Sequence, residues 1–243
     1  MVLGVELWVA AVLAATLAVG AMVQGLVGLG LGLVSAPVVT LLTPDLMPAL
    51  MLWLAFMMPL VTLARERHRI DWSGLAWALP ARVPGTVVGV LLVGWFSTRS
   101  LDVAVGVMVL LSVLLTVRAV EVPVSRRTLV TAGFLSGITG TATSIGGPPM
   151  ALLYQHRDPV QIRTTLAIYF FFGAGMSLLG LAVGGSLQLT TLLLALGLVP
   201  CLVLGFGASR LLRRVVPVGR IRTGVLLVCG ASAAVLLLRS LAG

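Results

Sequence analysis

Two segments of this chain carry residue types that could hold a small anion inside a membrane. The first reads Gln24-Gly-Leu-Val-Gly28-Leu-Gly30-Leu-Gly32-Leu-Val-Ser35-Ala-Pro37. The second reads Ser136-Gly-Ile-Thr139-Gly140-Thr141-Ala-Thr143-Ser144-Ile-Gly146-Gly147-Pro148-Pro149. Glycine permits close backbone approach and positive φ. Proline removes a donor and suits the first turn of a helix. Backbone groups freed from helical pairing at membrane depth are tolerated only where protein buries them or a polar cavity solvates them. Helix N-termini at such a break aim unpaired N–H groups and a positive dipole end at the cavity. Ser35, Thr139, Thr141, Thr143 and Ser144 add hydroxyl donors. The bland alternative is close helix packing through small residues, for which Gly25, Gly28 and Gly32 have the spacing.

A third candidate is Arg82, within Leu79-Pro80-Ala-Arg82-Val-Pro84-Gly85, the one charged residue deep in an expected span. Burying an arginine there costs at least about 2.5 kcal/mol on insertion scales. Its planar fork of five donors suits an oxyanion. The competing reading is a side chain that snorkels to the interface, since Arg82 lies eight residues from the expected span start at 74. Gln24, Tyr154, Gln155 and Tyr169 are the other polar residues near the broken segments. Tyr154 reads as an interfacial belt residue, as do most of Trp8, Trp53, Trp72, Trp77 and Trp95.

The elements that must position these residues are membrane helices. Of 243 residues, 59% are hydrophobic and 9% charged, and mean hydropathy is +1.16. A soluble domain carries about a quarter charged residues, so the bilayer must be part of this chain's solvent. Apolar runs cover roughly 7–23, 26–42, 46–64, 74–96, 101–117, 128–153, 160–183, 187–209 and 221–238. The segment before the first run has no positive charge, so 7–23 reads as a retained membrane segment rather than a cleaved leader.

Glycine and proline positions suggest an internal repeat. Gly25 and Gly28 recur as Gly137 and Gly140, and Pro37 as Pro149, at an offset of 112. Pro84 and Gly89 meet Pro200 and Gly205 at 116, and Gly106 meets Gly224 at 118. The expected organisation is a first transmembrane repeat over 1–118, a cytoplasmic linker over 119–127 and a second repeat over 128–243.

All 16 basic residues are arginine, a compositional preference rather than a functional mark, and net charge is +9. In a soluble protein that balance would suggest nucleic acid; here it reads as cytoplasmic loop charge, with no nucleic-acid partner. Thirteen arginines fall in four stretches, 65–72, 118–127, 155–163 and 210–222. Eight simple spans with parallel halves would put two of these stretches on each side. If 128–153 instead enters and leaves on one side, all four become cytoplasmic. The same treatment of 5–42 gives each half a broken hairpin plus three transmembrane helices. The expected fold is therefore an all-α integral membrane protein of about 8–10 membrane segments, in two homologous halves related as inverted repeats.

Nothing reads as an enzyme. Glu6, Asp45, Glu66, Asp71, Asp102, Glu121 and Asp158 all fall in expected loops or segment ends, no phosphate-binding loop appears, and no Cys/His spacing suits a metal. Cys201 and Cys229 lie in apolar runs and read as free, buried thiols. No cofactor is expected.

At the two glycine-proline segments, Gly25-Leu-Val-Gly28-Leu-Gly30-Leu-Gly32 to Pro37 and Gly137-Ile-Thr-Gly140 to Gly146-Gly147-Pro148-Pro149, the sequence resembles the TauE/SafE family of sulfite exporters and related anion permeases. Size, two-fold repeat and short loops fit along nearly the whole chain. The resemblance implies movement of sulfite, an organosulfonate or another sulfur-containing anion across the inner membrane by a multi-pass protein. Thr141-Ala-Thr143-Ser144 departs from the glycines common in the family, which bears on the substrate. The expected site comprises Gln24, Gly28, Gly30, Gly32, Ser35, Pro37, Arg82, Thr139, Gly140, Thr141, Thr143, Ser144, Gly146, Gly147, Pro148 and Pro149. The partners are a small anion and the lipid bilayer; a coupling ion and a homo-oligomer are both compatible. The alternatives are a permease for another small anion such as a carboxylate, and a membrane assembly partner that transports nothing.

Overall fold

The computed structural model describes residues 6–118, 122–215, 227 and 229–238. Parts of the linker and of the final apolar run, together with Glu121, Arg220, Arg222, Gly224 and Arg239, lie outside the described residues. Those described form helices and no strands. In chain order these are α1 (Leu7–Val27), α2 (Leu31–Leu42), a 3₁₀ turn (Pro44–Leu46), α3 (Ala49–Leu63), α4 (Trp72–Trp95), α5 (Thr98–Arg118), α6 (Arg126–Thr143), α7 (Gly147–Tyr154), α8 (Pro159–Val183) and α9 (Leu189–Val215). A final helix, α10, covers Cys229–Leu238. Helices α1, α4, α8 and α9 are long and apolar enough to cross a membrane.

Local chemistry sets the helix ends. Asp71 caps α4 by accepting from Gly74 N at 2.9 Å. Asp158 caps α8 from Val160 N and Gln161 N, with Pro159 in the first turn. Ser125 and Thr128 form a capping box on α6. Each such cap satisfies donors that the helix cannot satisfy itself.

Both broken segments are helical hairpins. Helix α1 ends at Gly28, which takes the left-handed conformation with φ 90° and donates its N–H to Gln24 O. The chain then turns back, so that Ser35 Oγ donates to Thr16 O and a Cβ on Gly20 would meet Leu31. Pairs 16/35 and 20/31 run in opposite directions, as an antiparallel hairpin requires. Helix α6 ends at Ser144, also left-handed with φ 61°. There α7 folds back far enough for Ser136 Oγ to donate to Gly146 O. Val27 and Thr143 close the first helix of each hairpin, and Leu31 and Gly147 open the second. Both pairs are spaced by 116, the spacing of Pro84/Pro200, so the Gly25/Gly137 and Pro37/Pro149 matches at 112 are one turn out of step with the hairpins.

The packing has a paired pattern. Helix α1 lies along α9 and α6 along α4, while α3 lies along α8; α3 also touches α9, as α4 touches α8. Glycines allow the close crossings. A Cβ on Gly85 would stand 2.1 Å from Phe134 O, one on Gly137 2.5 Å from Arg82 O, and one on Gly205 2.1 Å from Ala18 O. Gly25 packs against Ser209 and Phe206, so Gly25 and Gly137 play the bland packing role. Trp8, Trp72, Trp77 and Trp95 are exposed, as belt residues are. Tyr154 is not a belt residue: it is fully buried and donates to Asp71 Oδ2 at 2.8 Å, tying the end of α7 to the start of α4. Arg163, expected in a loop, lies inside α8 and is paired with Glu66, its Nε 2.8 Å from Oε2.

Candidate functional site

The tips of the two hairpins meet. A Cβ on Gly32 would stand 3.1 Å from Ser144 O, and one on Gly147 2.5 Å from Leu29 Cδ2. Between them is a cavity offering about 50 Å³ to water-sized bodies. Gln24, Leu29, Gly30, Leu31, Gly32 and Leu33 line it from the first hairpin, and Gly140, Ser144, Ile145, Gly146, Gly147 and Pro148 from the second. Leu52 and Ala55 of α3, Arg82 of α4, and Phe170 and Ala174 of α8 complete the wall.

Among the described residues, Arg82 is the only charged one in that wall. It sits ten residues after Trp72, the first residue of α4, which at 1.5 Å per residue is about 15 Å, half the thickness of a hydrocarbon core. It is 3% exposed, so it does not snorkel. Glycine makes room for it: a Cβ on Gly173 would lie 2.3 Å from Cζ, and one on Gly140 2.8 Å from Nη2. The guanidinium lies over the Tyr169 ring, 4.9 Å from its centroid. Nη1 donates to Ser136 Oγ at 3.0 Å, while Nε has no partner. A buried donor without a partner costs about 1–3 kcal/mol, more when charged. The stacked ring offers π-electron density but no acceptor for Nε.

The helix starts add donors. Leu31 N donates to Gln24 Oε1 at 3.1 Å. Gly32 and Leu33 follow in the first turn of α2, where the helix itself provides no acceptor. The start of α7 is poorer, because Pro148 and Pro149 have no N–H. The wall therefore combines one fixed cation, the first turns of two helices, the polar side chains of Gln24 and Ser144, and otherwise apolar groups.

Nine of the residues expected at the site line the cavity: Gln24, Gly30, Gly32, Arg82, Gly140, Ser144, Gly146, Gly147 and Pro148. The other seven do not. Gly28 forms the turn and packs on Ile162 and Arg163. Ser35 bonds back to α1, and Pro37 lies inside α2. Thr139 donates to Leu135 O, Thr143 to Thr139 O, and Thr141 pairs with Ser177 Oγ at 2.8 Å. Pro149 lies in the first turn of α7 but outside the wall. Ser136, Tyr169 and Gly173 hold the guanidinium: Ser136 opens the second glycine-proline segment and Tyr169 is one of the polar residues noted near it, whereas Gly173 stands in ordinary helical sequence with no local signal.

Ser144 faces two ways. It lines the cavity, and its hydroxyl donates to Pro48 O at 2.9 Å. Pro48 lines a second, larger recess of about 460 Å³ with Thr40, Asp45, Asp102 and Gln188. The Ser144–Pro48 contact thus stands between the small cavity and this vestibule. Among the described residues no group of three or more His, Cys, Asp or Glu could hold a metal.

Residues 12–236 match the family described as sulfite exporter TauE/SafE. The chain is also similar to a probable sulfite/organosulfonate exporter TauE of Cupriavidus necator. The two are 30% identical over 242 residues, which cover 90% of this chain and 91% of that protein. No solved structure matches the chain significantly. The helices that can span a bilayer and the bacterial source of that relative agree with a multi-pass protein of the inner membrane. With the match running through both hairpins and the buried arginine, the chain belongs to the sulfite exporter TauE/SafE family of membrane transporters.

Proposed function

We propose that this protein exports sulfite, holding one ion between the two hairpin tips on the guanidinium of Arg82. The observation that carries this reading is the state of that guanidinium: it belongs to the wall of a cavity near mid-membrane, it has no carboxylate partner among the described residues, and its buried Nε has no hydrogen-bond partner. Nε and Nη2 share one edge of the planar group, and two parallel N–H donors on such an edge match two oxygens of an oxyanion. The first-turn N–H groups of α2 would receive the remaining oxygen.

Size favours the smaller sulfur anion. A water needs about 10–15 Å³ on this measure, so about 50 Å³ holds roughly four such bodies. Sulfite has four heavy atoms. An organosulfonate adds a carbon tail, which requires the tips to part. The similarity to a probable sulfite/organosulfonate exporter supports the same chemical class.

The protein acts by binding and conformational change, without making or breaking bonds. Its halves, 1–118 and 128–243 joined by 119–127, are inverted repeats whose hairpins enter from opposite faces. The paired packing of α1 on α9 with α6 on α4 supports this, as does the meeting of the tips. Inverted repeats place substrates at the repeat interface near the midplane. Movement of one tip past the other, with the Ser144–Pro48 contact opening toward the vestibule, exposes the cavity on one side.

The test is labelled sulfite flux in proteoliposomes, with unlabelled thiosulfate, sulfate, sulfoacetate and acetate as competitors. Saturable flux that sulfite itself inhibits best supports the proposal. Folded protein that moves none of these anions overturns it, and strongest competition by acetate assigns the site to carboxylates instead.

A further inference from the structure

We infer that Ser136 is a positioning residue that selects the shape of the transported anion by fixing which edge of Arg82 faces the cavity. The inference rests on Arg82 being the anion-binding group. Ser136 lies on α6, is fully buried and does not line the cavity. Its hydroxyl makes two bonds of opposite sense. It donates to Gly146 O at the tip of the second hairpin, and it accepts from Arg82 Nη1 at 3.0 Å.

The direction of these bonds is fixed by chemistry. A serine hydroxyl has one proton, and the Gly146 carbonyl can only accept. Toward Arg82 the same oxygen can therefore only accept, and a guanidinium can only donate. The relay Arg82 N–H to Ser136 O–H to Gly146 C=O has no alternative polarity. One of the two N–H groups of Nη1 is thus taken by the protein, which fixes how the guanidinium is turned, while the Nε–Nη2 edge carries no protein bond. Tyr169 and Gly173 confine the guanidinium on its faces but do not choose between its edges; Ser136 does.

Two consequences separate this role from simple packing. An anion with two oxygens set to meet parallel N–H donors gains from a held edge, whereas a spherical anion of the same charge has no edge to match. The relay also runs through Gly146, a residue of the cavity wall and the cap of α7. Any ligand pull on the guanidinium is therefore transmitted to the hairpin tip.

The experiment measures sulfite and bromide as competitors of labelled sulfite flux, in wild-type protein, Ser136→Ala and Ser136→Cys. Thermal melting in detergent confirms that each is folded. Ser136→Ala is expected to weaken sulfite by about 10-fold or more, the scale of a lost bond to a charged group. Bromide should weaken by less than about threefold, so the sulfite-to-bromide preference collapses. Ser136→Cys, close in volume and retaining a weak acceptor, should recover part of that preference and serves as the folded comparator if the alanine variant does not fold. Parallel weakening of both anions overturns the positioning role, as does an unchanged preference. Failure of wild-type protein to respond to either anion would instead defeat the assignment of Arg82 as the anion-binding group.

Discussion

Replacing Gly173 with alanine tests the site through a residue that does not line it. The new Cβ would lie 2.3 Å from Arg82 Cζ, 2.4 Å from Nε and 2.6 Å from Nη1. Ordinary carbon contacts are about 3.5–4.0 Å, so the guanidinium must move by about an ångström. Tyr169 lies on the group as well, so the displacement runs sideways or along the side chain. The 3.0 Å bond to Ser136 then stretches beyond hydrogen-bonding range, and the Nε–Nη2 edge leaves its alignment. Losing one hydrogen bond to a charged group is worth about 1.5–3 kcal/mol, or roughly 10- to 150-fold in affinity. The KM for sulfite flux in proteoliposomes should rise by that factor while the protein still melts cooperatively. A double-mutant cycle isolates the cause: in an Arg82→Gln background, Gly173→Ala should change residual sulfite binding by less than about twofold. Wild-type KM in Gly173→Ala would refute the assignment of the guanidinium as the site, and an equal loss in both backgrounds would reduce the effect to packing damage.

Other substitutions follow from the same geometry. Arg82→Lys keeps the charge but replaces a planar edge with a compact ammonium; sulfite KM should rise at least about 10-fold, with competitor order flattening toward charge alone, and an unchanged order counts against bidentate binding. Glu66→Gln leaves Arg163 as a nearly buried cation whose carboxylate pairing is lost. Glu66 is about one-fifth exposed, so the loss falls near the lower end of the range for broken buried pairs, about 3 kcal/mol. It is read as a lower melting temperature, with partial recovery in Glu66→Gln/Arg163→Leu.

The hairpins were legible because two signals agreed. Glycine and proline mark where helices cannot continue, and the arginines bring the four basic stretches to one side only if 128–153 turns back, a turn that the repeat carries over to 5–42. The turn itself was less legible. The runs 7–23 and 26–42 place the first break near residues 24 and 25, whereas α1 continues to Val27 and turns at Gly28. Leucine, valine and glycine continue on both sides of the break, so hydropathy cannot locate it. Hydroxyl groups misled for a different reason. Thr139 and Thr143 donate to the carbonyls four residues earlier, and Thr141 to or from Ser177. A helix apolar on all faces gives no periodicity to show which hydroxyl points at the cavity. Arg82 could be singled out, since one charge in a long apolar run has few explanations, but its choice between interface and interior was made by Gly140, Gly173 and Tyr169 on other helices. Those contacts depend on which helices pack together, which spacing within one segment does not encode.

The lone guanidinium also determines how voltage acts on the protein. Among the described residues the carboxylates Glu6, Asp45, Glu66, Asp71, Asp102 and Asp158 lie at or near helix ends or in connecting segments, and Arg82 is the only charged residue in the cavity wall. On the binding mode proposed above, the bound anion is the counter-ion of Arg82. The centre carries a full positive charge when empty and none when holding a monoanion. A potential of 100 mV does about 2.3 kcal/mol of work on each charge that crosses, equivalent to roughly a 50-fold concentration ratio. On that binding mode, a membrane that is negative inside drives a monoanion outward without a coupled ion, the potential acting on the return of the empty, charged carrier; a sulfite dianion would leave one negative charge on the loaded carrier, on which the potential acts as well.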